Sequence, residues 1–391
     1  MYTEADIPRL AAGLVAEAHA HGGLAPLDLD AFWAAQDAAV RDPFSAAQMP
    51  LGWLASHECV FTELGVAADW HRLHHDHAWR AGLCRAYNDQ AERIVGRRVL
   101  DESVPDAARQ WPAHRSLADL FEAKNVWNNE SYWLMESAHD PDQLAALLDR
   151  VERRLEDPRA AILPPGWHEA KARLTALGVK PPRYRFQRGP VTFATSIYGI
   201  ENLMFLILDR PDLAARLRDV MLRAMLAIGA VLDAEAGDPT GGQVRGFQFN
   251  DDNCYLLTPE MYEFFGLPIL QAMFARYAPA PGDRRFQHSD SAMGHLLPLL
   301  ARCNLHGVNF GPTLRVREIR AAMPRTVIHG QLAPFTYSRN HEEAMVAEFL
   351  RDRLDADAGR GVLFTTAGSI NDGSRLTGMR LIMAAAQRWG W

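Results

Sequence analysis

Cysteine is scarce in this chain, with only four among 391 residues. They are Cys59, Cys84, Cys254 and Cys303. No two of them have the CxxC spacing of a redox or zinc motif, and four scattered cysteines in a long chain do not make a disulfide framework. The sequence therefore predicts a protein of a reducing compartment.

Long apolar runs and an excess of positive charge are also missing. No stretch approaches the roughly 20 apolar residues that a membrane span needs, and the first residues lack the basic start and apolar run of a signal peptide. The net charge is −7 with both signs interspersed, so no basic surface for nucleic acid is predicted. We expect a cytoplasmic protein that binds a small molecule, with neither membrane nor nucleic acid as a partner.

Short apolar segments alternate with long amphipathic ones from about Pro182 onward, which is typical of βα units. The predicted strands are residues 50–59, 189–196, 245–251, 284–290, 306–310, 326–330 and 361–367. This number approaches the eight strands of a closed (β/α)8 TIM barrel. We therefore predict an α/β fold with a single barrel domain over residues 1–391, carrying a helical N-terminal elaboration inserted at about 61–165.

In such a barrel the functional side chains follow the carboxyl ends of the strands, where the βα loops converge. The polar residues found at these points include His57, Glu58, Cys59, Asp251, Asp252, Asn253, His288, Asp290, His329 and Gln331. We expect such residues to lie at one end of the barrel and to line its pocket.

His288 and Asp290 are two residues apart, so on a strand their side chains point to the same face. An imidazole and a carboxylate in this arrangement form half of a metal site or a base oriented by a carboxylate. The alternative is a strand-end hydrogen bond that caps the following helix.

Three further groups have both a functional and a structural interpretation. Of Asp251 and Asp252 only one can face the pocket, because adjacent strand residues point opposite ways, and a loop carboxylate bound to backbone amides is the alternative. Residues 57–59 offer a base, a carboxylate and a thiol, but a free cysteine such as Cys59 is commonly a small buried residue. The segment 121–137, which contains Trp127, is either a lid over the pocket or a helix packed on the barrel.

The histidine-dense stretch 71–77, HRLHHDH, places His71, His74 and His75 on one face if it is helical. Three imidazoles on one face can bind a metal. A solvated polar face is the other interpretation.

Four runs of residues carry a family resemblance. They are GPVTFATSIYGIENLMFLILDRPDLAARL (189–217), NDDNCYLLTPEMYEFFGLPIL (250–270), HSDSAMGHLLPLLARCNLHGVNF (288–310) and the closing GVLFTTAGSINDGSRLTGMRLIMAAAQRWG. Their content and order resemble the uroporphyrinogen decarboxylase superfamily, which also contains corrinoid-linked methyltransferases. The resemblance favours Asp251 over Asp252 as a catalytic residue, since Asp251 matches the family's catalytic-loop aspartate.

The departures from the family pattern indicate the branch. The haem-pathway enzyme has an arginine-rich segment where this chain has LGWLASHECVF (51–61), and many substrate carboxylates without cations would be costly to bind. Residues 251–253 and 367–369 also differ from the family's Asp-Ser-Trp and Gly-His-Gly. The methyltransferase branch holds zinc with a His-x-Cys pair, whereas this chain has His288-Ser289-Asp290, a set without thiolate.

The resemblance therefore implies a methyltransferase rather than the haem-pathway decarboxylase. A divalent metal, with zinc favoured, would be held by His288 and Asp290 with Glu58 or Cys59. The catalytic residues would be Asp251, His288, Asp290 and His57, and those binding substrate Tyr198, Trp127, Asn253, His329 and Gln331.

The methyl group would be linked to a folate or to a corrinoid on a partner protein. The sequence is also compatible with a homodimer. Two alternatives remain: a cofactor-independent decarboxylase or lyase, and a non-catalytic partner of a corrinoid protein. Bound metal would separate the methyltransferase from the lyase.

Overall fold

The computed structural model describes residues 2–52, 55–356 and 359–391. The helices are α1 (Ile7–Ala20), α2 (Leu29–Ala39), α3 (Cys59–Leu64), α4 (Trp70–His75), α5 (His77–Val95), α6 (Leu117–Leu120), α7 (Pro141–Arg154), α8 (Pro158–Ile162), α9 (Trp167–Ala176), α10 (Pro190–Tyr198), α11 (Ile200–Asp209), α12 (Pro211–Glu235), α13 (Pro259–Phe265), α14 (Leu267–Tyr277), α15 (Leu297–Ala301), α16 (Val316–Ala322), α17 (Pro334–Ser338), α18 (Glu342–Ala356) and α19 (Leu376–Trp389). The strands are β1 (Asn125–Asn128), β2 (Ser131–Leu134), β3 (Phe186–Arg188), β4 (Phe247–Asn250), β5 (Arg285–Ser289), β6 (Gly307–Phe310), β7 (Val327–His329) and β8 (Val362–Leu363).

The chain divides into two compact units. The first unit contains residues 1–104, 290–292 and 307–391, and the second contains residues 105–289 and 293–306. Each unit holds three parallel strands in chain order, so the fold is mixed α/β as predicted.

The second unit is built on the parallel strands β3, β4 and β5. Phe247 pairs with Arg285 and Asn250 with His288 in the register of β4 against β5. Phe247 and Phe249 alternate with less buried residues along β4, as expected for a strand with one face in the core. The ring of Phe249 packs edge-on against Phe274 of α14, with centroids 5.8 Å apart, so the two elements share one apolar core.

The first unit is built on β6, β7 and β8. All four residues of β6 are buried, which is the pattern of a parallel strand covered on both faces. Helices α1, α18 and α19 pack against one another in this unit. Leu51 forms an isolated parallel bridge with Phe364, and Ala55 forms one with Ile370. The strand predicted at 50–59 is therefore present as separate bridges. Two of its residues, 53 and 54, lie outside the described residues.

The strands predicted at 245–251, 284–290, 306–310, 326–330 and 361–367 are confirmed, although β8 is only two residues long. The strand predicted at 189–196 is wrong, because this segment forms α10. Gly189 is the extended N-cap and Pro190 occupies the first turn, where a proline favours a helix. Eight of the nine α10 residues are buried, so the helix has no polar face. Its apolar and polar residues therefore do not alternate with the period of an amphipathic helix, and the sequence carries no helix signal here.

Two further expectations are corrected in part. Within the described ranges the six parallel strands fall short of the predicted eight, and no closed barrel is detected there. The predicted insertion at 61–165 contains helices as expected, but its segment 121–137 forms the antiparallel hairpin β1–β2 rather than a helix. The single domain over 1–391 stays a prediction.

No single helix in the described part of the chain is both long and apolar enough to cross a bilayer. The consecutive helices α10 and α11, bent by 105° at their junction, meet that length and composition criterion only as a pair.

Candidate active site

The ends of β4 and β5 bring the predicted site residues of the second unit together. Asn250 lies opposite His288 in the parallel register, and the Asp251 backbone N–H donates to the His288 carbonyl at 2.9 Å. Asp252 then begins a short 3-10 turn, Asp252–Leu256. The two aspartates that follow β4 are therefore held beside the last residues of β5.

Asp252 forms the contact with His288. The His288 Nε2 lies 3.3 Å from the Asp252 Oδ1, and the two side chains are 14% and 36% exposed, respectively. Both groups are thus partly withdrawn from water but still within reach of a ligand. An imidazole paired with a carboxylate can act as an oriented base or supply two metal ligands.

Asp251 points into the protein instead. Its side chain is fully buried, and its Oδ1 accepts a hydrogen bond from the Thr192 backbone N–H of α10 at 2.7 Å. A Cβ atom on Gly189 would lie 2.1 Å from the Asp251 Cβ, so only glycine permits this approach. The Asp251 carboxylate thereby satisfies a free N–H at the start of α10, as a capping residue does.

Burial raises the pKa of Asp251 to about 7, and the hydrogen bond from Thr192 opposes this shift. The negative charge of the neighbouring Asp252 raises the pKa further. The Asp251 Oδ2 is buried without a hydrogen-bond partner among the described residues, which is consistent with a carboxyl group that holds a proton.

A polar network links Asp251 to the surface of the second unit. The Thr192 hydroxyl accepts from the Asn253 backbone N–H at 2.9 Å, and the Asn253 side-chain amide donates to the Thr195 hydroxyl at 2.8 Å. Asn253 and Thr195 both line a cleft of about 750 Å³. Asn253 was predicted to bind substrate, and the structure places it at this cleft.

The cleft lies between the β1–β2 hairpin with the segment after it and the junction of α10 and α11. It is lined by Asn128, Trp133, Leu134, Met135, Glu136, His139, Thr195, Ser196, Gly199, Ile200, Glu201, Asn202 and Asn253. The His139 Nδ1 and the Glu136 Oε2 are 3.0 Å apart. No lysine or arginine occurs among these described lining residues, so the walls offer apolar, neutral polar and acidic groups.

Trp127 and Tyr198, also predicted to bind substrate, do not line this cleft. Trp127 lies in β1 and packs edge-on against Tyr132, with centroids 5.2 Å apart. Tyr198 is 2% exposed at the end of α10, where an apolar environment raises the pKa of its hydroxyl. Trp133 is the hairpin aromatic that lines the cleft.

His57, Glu58 and Cys59 belong to the first unit and lead into α3. The Cys59 thiol is fully buried and donates to the Ile370 and Asn371 carbonyls at 3.2 and 3.3 Å. Burial raises its pKa to about 12, which disfavours the thiolate that a metal requires. Cys59 therefore fits its structural interpretation, and Glu58 accepts a hydrogen bond from the Ser56 hydroxyl at 2.7 Å.

Gln331 has a structural position in the first unit. It is fully buried, and its side-chain amide donates to the Gly311 and Leu314 carbonyls at 2.9 and 3.0 Å. Both amide hydrogens are thereby used within the protein, whereas the Gln331 Oε1 is buried without a hydrogen-bond partner among the described residues. The contact of Gln331 with substrate stays a prediction. The His329 carbonyl accepts from the Asn309 side-chain amide at 2.6 Å, so its backbone also supports the loops after β6 and β7.

Asp290 follows His288 by two residues and is grouped with the first unit. A Cβ atom on Gly311 would lie 2.4 Å from the Asp290 carbonyl oxygen, and one on Gly368 would lie 3.8 Å from its Oδ2. Gly311 after β6 thus makes room for the Asp290 backbone, whereas a side chain at residue 368 would be in ordinary contact with the Asp290 carboxylate.

The His71–His77 stretch forms α4 and the start of α5. The rings of His71 and His75 stack with centroids 4.1 Å apart, and the His75 Nδ1 lies 2.7 Å from the His71 carbonyl oxygen. The side chains therefore share a helix face, as the spacing predicted.

Sequence reasoning missed Asp252 as the partner of His288 and missed Glu136, His139 and Glu201 in the cleft wall. The alternation of strand residues showed that Asp251 and Asp252 point opposite ways, but not which one faces His288. The cleft residues gave no motif, because a hairpin and a helix junction bring them together from distant parts of the sequence.

The raised pKa of Asp251 predicts a pH-dependent stability. The folded state keeps a proton that the unfolded chain loses near pH 4, so the stability from this group is present at low pH and is lost as pH rises towards 7. Asp251→Asn keeps an acceptor for Thr192 but cannot ionise. We expect the free energy of unfolding of Asp251→Asn minus that of wild type to increase between pH 5 and pH 7, by up to about 1.4 kcal/mol per pH unit. Urea denaturation at each pH measures this difference.

Asp142→Asn, on the surface of α7, is the matched control and should follow wild type at every pH. An Asp251→Asn effect that is the same at pH 5 and pH 7 would contradict the assignment of a proton to Asp251.

Comparison with known proteins agrees with this architecture. The family model described as uroporphyrinogen decarboxylase (URO-D) matches residues 154–389, which is more than half of the chain. Among solved structures, a methyltransferase from Methanosarcina mazei matches with 18% sequence identity and a TM-score of 0.54, covering 93% of this chain and 99% of that chain. At this identity the likeness shows the fold alone. A search of curated proteins finds no match. The chain therefore belongs to the uroporphyrinogen decarboxylase family.

Proposed function

We propose that this protein is a metal-assisted methyltransferase of a small molecule. The observation that carries the proposal is the Asp252–His288 pair at the ends of two neighbouring parallel strands. The likeness of the whole chain to the Methanosarcina mazei methyltransferase favours methyl transfer among the reactions of the family. In this proposal the strands form the family's closed barrel, and the methyl group is linked to a folate or to a corrinoid on a partner protein.

The residues present fit a divalent metal. His288 and Asp252 offer an imidazole nitrogen and a carboxylate oxygen 3.3 Å apart, and Asp290, two residues along the chain, is the third ligand of the proposal. A nitrogen and oxygen donor set suits zinc and the other borderline divalent metals.

The thiols of the chain do not favour a thiolate site. All four cysteines are buried. Burial raises the pKa to about 12 for Cys59 and Cys303, to about 11 for Cys84 and well above the ordinary thiol value for Cys254. The Cys59 of the sequence-based ligand set is therefore replaced by Asp252.

Bound metal would act as a Lewis acid that activates the methyl acceptor or the atom that carries the methyl group. His288 and Asp252 would hold it, and Asp252 would need its negative charge to do so. Because two adjacent carboxylates repel each other when both are ionised, a protonated Asp251 leaves the charge on Asp252. Asp251 is in this respect a positioning residue, which also fixes the start of α10 through Thr192.

Substrate would bind in the cleft of about 750 Å³ beside Asn253. Trp133, Met135 and Ile200 would contact its apolar parts, and Asn253 would orient a polar group. Asn253 is itself fixed by Thr192 and Thr195, so the cleft and the Asp251 carboxyl belong to one hydrogen-bonded assembly.

A metal-independent lyase is the second candidate, and the pKa of Asp251 near 7 favours it. A carboxyl group that gains and loses a proton near neutral pH suits general acid–base chemistry. The buried position of Asp251 would then require proton transfer through the Thr192 hydroxyl, which forms a hydrogen bond with the Asp251 carboxyl, rather than direct contact with substrate.

Metal content separates these candidates. We expect wild-type protein purified without a histidine tag to bind close to one equivalent of Zn²⁺ in calorimetric titration. His288→Ala and Asp252→Asn should each weaken this binding by roughly 10-fold or more, and their melting temperatures should stay near that of wild type because both side chains lie at a partly exposed site.

His168→Ala is the matched control, since His168 is exposed on α9 in the same unit. Equal zinc binding by the wild type, His288→Ala and Asp252→Asn proteins would refute the metal site and leave the lyase as the better candidate.

Uroporphyrinogen is not the expected substrate. Its many carboxylates require several cations, whereas the ionisable residues that line the described cleft are Glu136, His139 and Glu201. We expect no coproporphyrinogen when the purified protein is incubated with uroporphyrinogen. Formation at a rate typical of enzymes would show that the cleft is not the substrate site.

A further inference from the structure

A second, smaller cavity lies entirely within the first unit. It has a volume of about 100 Å³ and is lined by Ser56, His57, Glu58, Leu73, His74 and Arg80. This is well above the roughly 10–15 Å³ that a single water molecule needs. The segment before α3, helix α4 and the first turns of α5 supply these residues.

Arg80 supplies the positive charge of the cavity wall, and it acts electrostatically on the Asp101 carboxylate. Arg85 on the same helix lies 3.6 Å from Glu102, and Arg72 on α4 lies 3.1 Å from Asp76. Among the described residues Arg80 forms no such ion pair, and its hydrogen bond is a long one of 3.4 Å from Nη1 to the Leu73 carbonyl. A guanidinium has five N–H donors, so most of those of Arg80 remain for a ligand in the cavity.

Two histidines, His57 and His74, also line the cavity. Burial lowers the pKa of His57, and the charge of Arg80 lowers it further, whereas the Asp101 carboxylate opposes this shift. Burial also lowers the pKa of His74, and the charges of His75, Arg80 and His71 add to this shift. A neutral imidazole still presents one N–H. Glu58 is the acidic group of the wall, and its Oε2 is engaged by the Ser56 hydroxyl.

We propose that Arg80 and His57, with His74 beside them, form a binding site for a small oxyanion of the phosphate or carboxylate class. An oxyanion would accept charge-assisted hydrogen bonds from the Arg80 guanidinium, and bonds of this kind are short and strong. Glu58 and Asp101 limit the affinity through their own negative charge.

The test uses the full-length protein, with inorganic phosphate and acetate as separate probes. Wild type should bind at least one of them saturably, and the probe that binds more tightly identifies a tetrahedral or a planar anion. We expect Arg80→Gln to weaken binding by roughly 10-fold or more, since it removes charge-assisted hydrogen bonds. Arg85→Gln, on the same helix but outside the cavity, should bind like wild type.

Histidine NMR gives a second readout. The bound anion should shift the ring signals of His57 in wild type but not in Arg80→Gln. If Arg80→Gln does not fold, His57→Gln replaces it and should weaken binding in the same direction. Absence of saturable binding of both probes by wild type, or equal binding by wild type, Arg80→Gln and His57→Gln, would overturn the proposal.

Discussion

The pairing of β4 with β5 is the constraint on which the candidate active site depends. Parallel strands align their carboxyl ends, and the register that sets Asn250 opposite His288 carries Asp251 and Asp252 to the end of β5. A shift of one residue would reverse the faces of both aspartates and separate Asp252 from His288. The apolar core around Phe247 and Phe249 holds this register, so packing in the strand determines the chemistry at its end.

The two adjacent aspartates have different roles because their surroundings differ. Asp251 is enclosed between Gly189 and Thr192, where burial raises the pKa of its carboxyl group to about 7, whereas Asp252 remains partly exposed beside His288. One segment thereby supplies a buried carboxyl group that fixes the start of α10 and a partly exposed carboxyl group beside His288. The hydrogen bonds through Thr192 and Asn253 extend this arrangement to the wall of the cleft.

Sequence reasoning predicted the family and five of the parallel strands, because apolar runs bounded by turns and charged helices give clear signals. It failed at α10, since a helix buried on nearly all sides has no polar face and its β-branched residues mimic a strand. It found His288 but not its partner. Alternation along a strand shows that Asp251 and Asp252 point opposite ways, but only tertiary packing determines which of the two side chains contacts His288. The hairpin at 125–134 was missed for a related reason: its exposed aromatic residues bury too little surface to show an alternating pattern.

The central claim is that Asp252 and His288 bind a metal through nitrogen and oxygen without a thiolate. X-ray absorption spectroscopy of the zinc-loaded protein, purified without a tag, tests it most directly. The account predicts a first shell of nitrogen and oxygen at about 2.0–2.1 Å with an imidazole contribution that is lost in His288→Ala. Sulfur neighbours at about 2.3 Å, or an imidazole contribution that persists in His288→Ala, would contradict it.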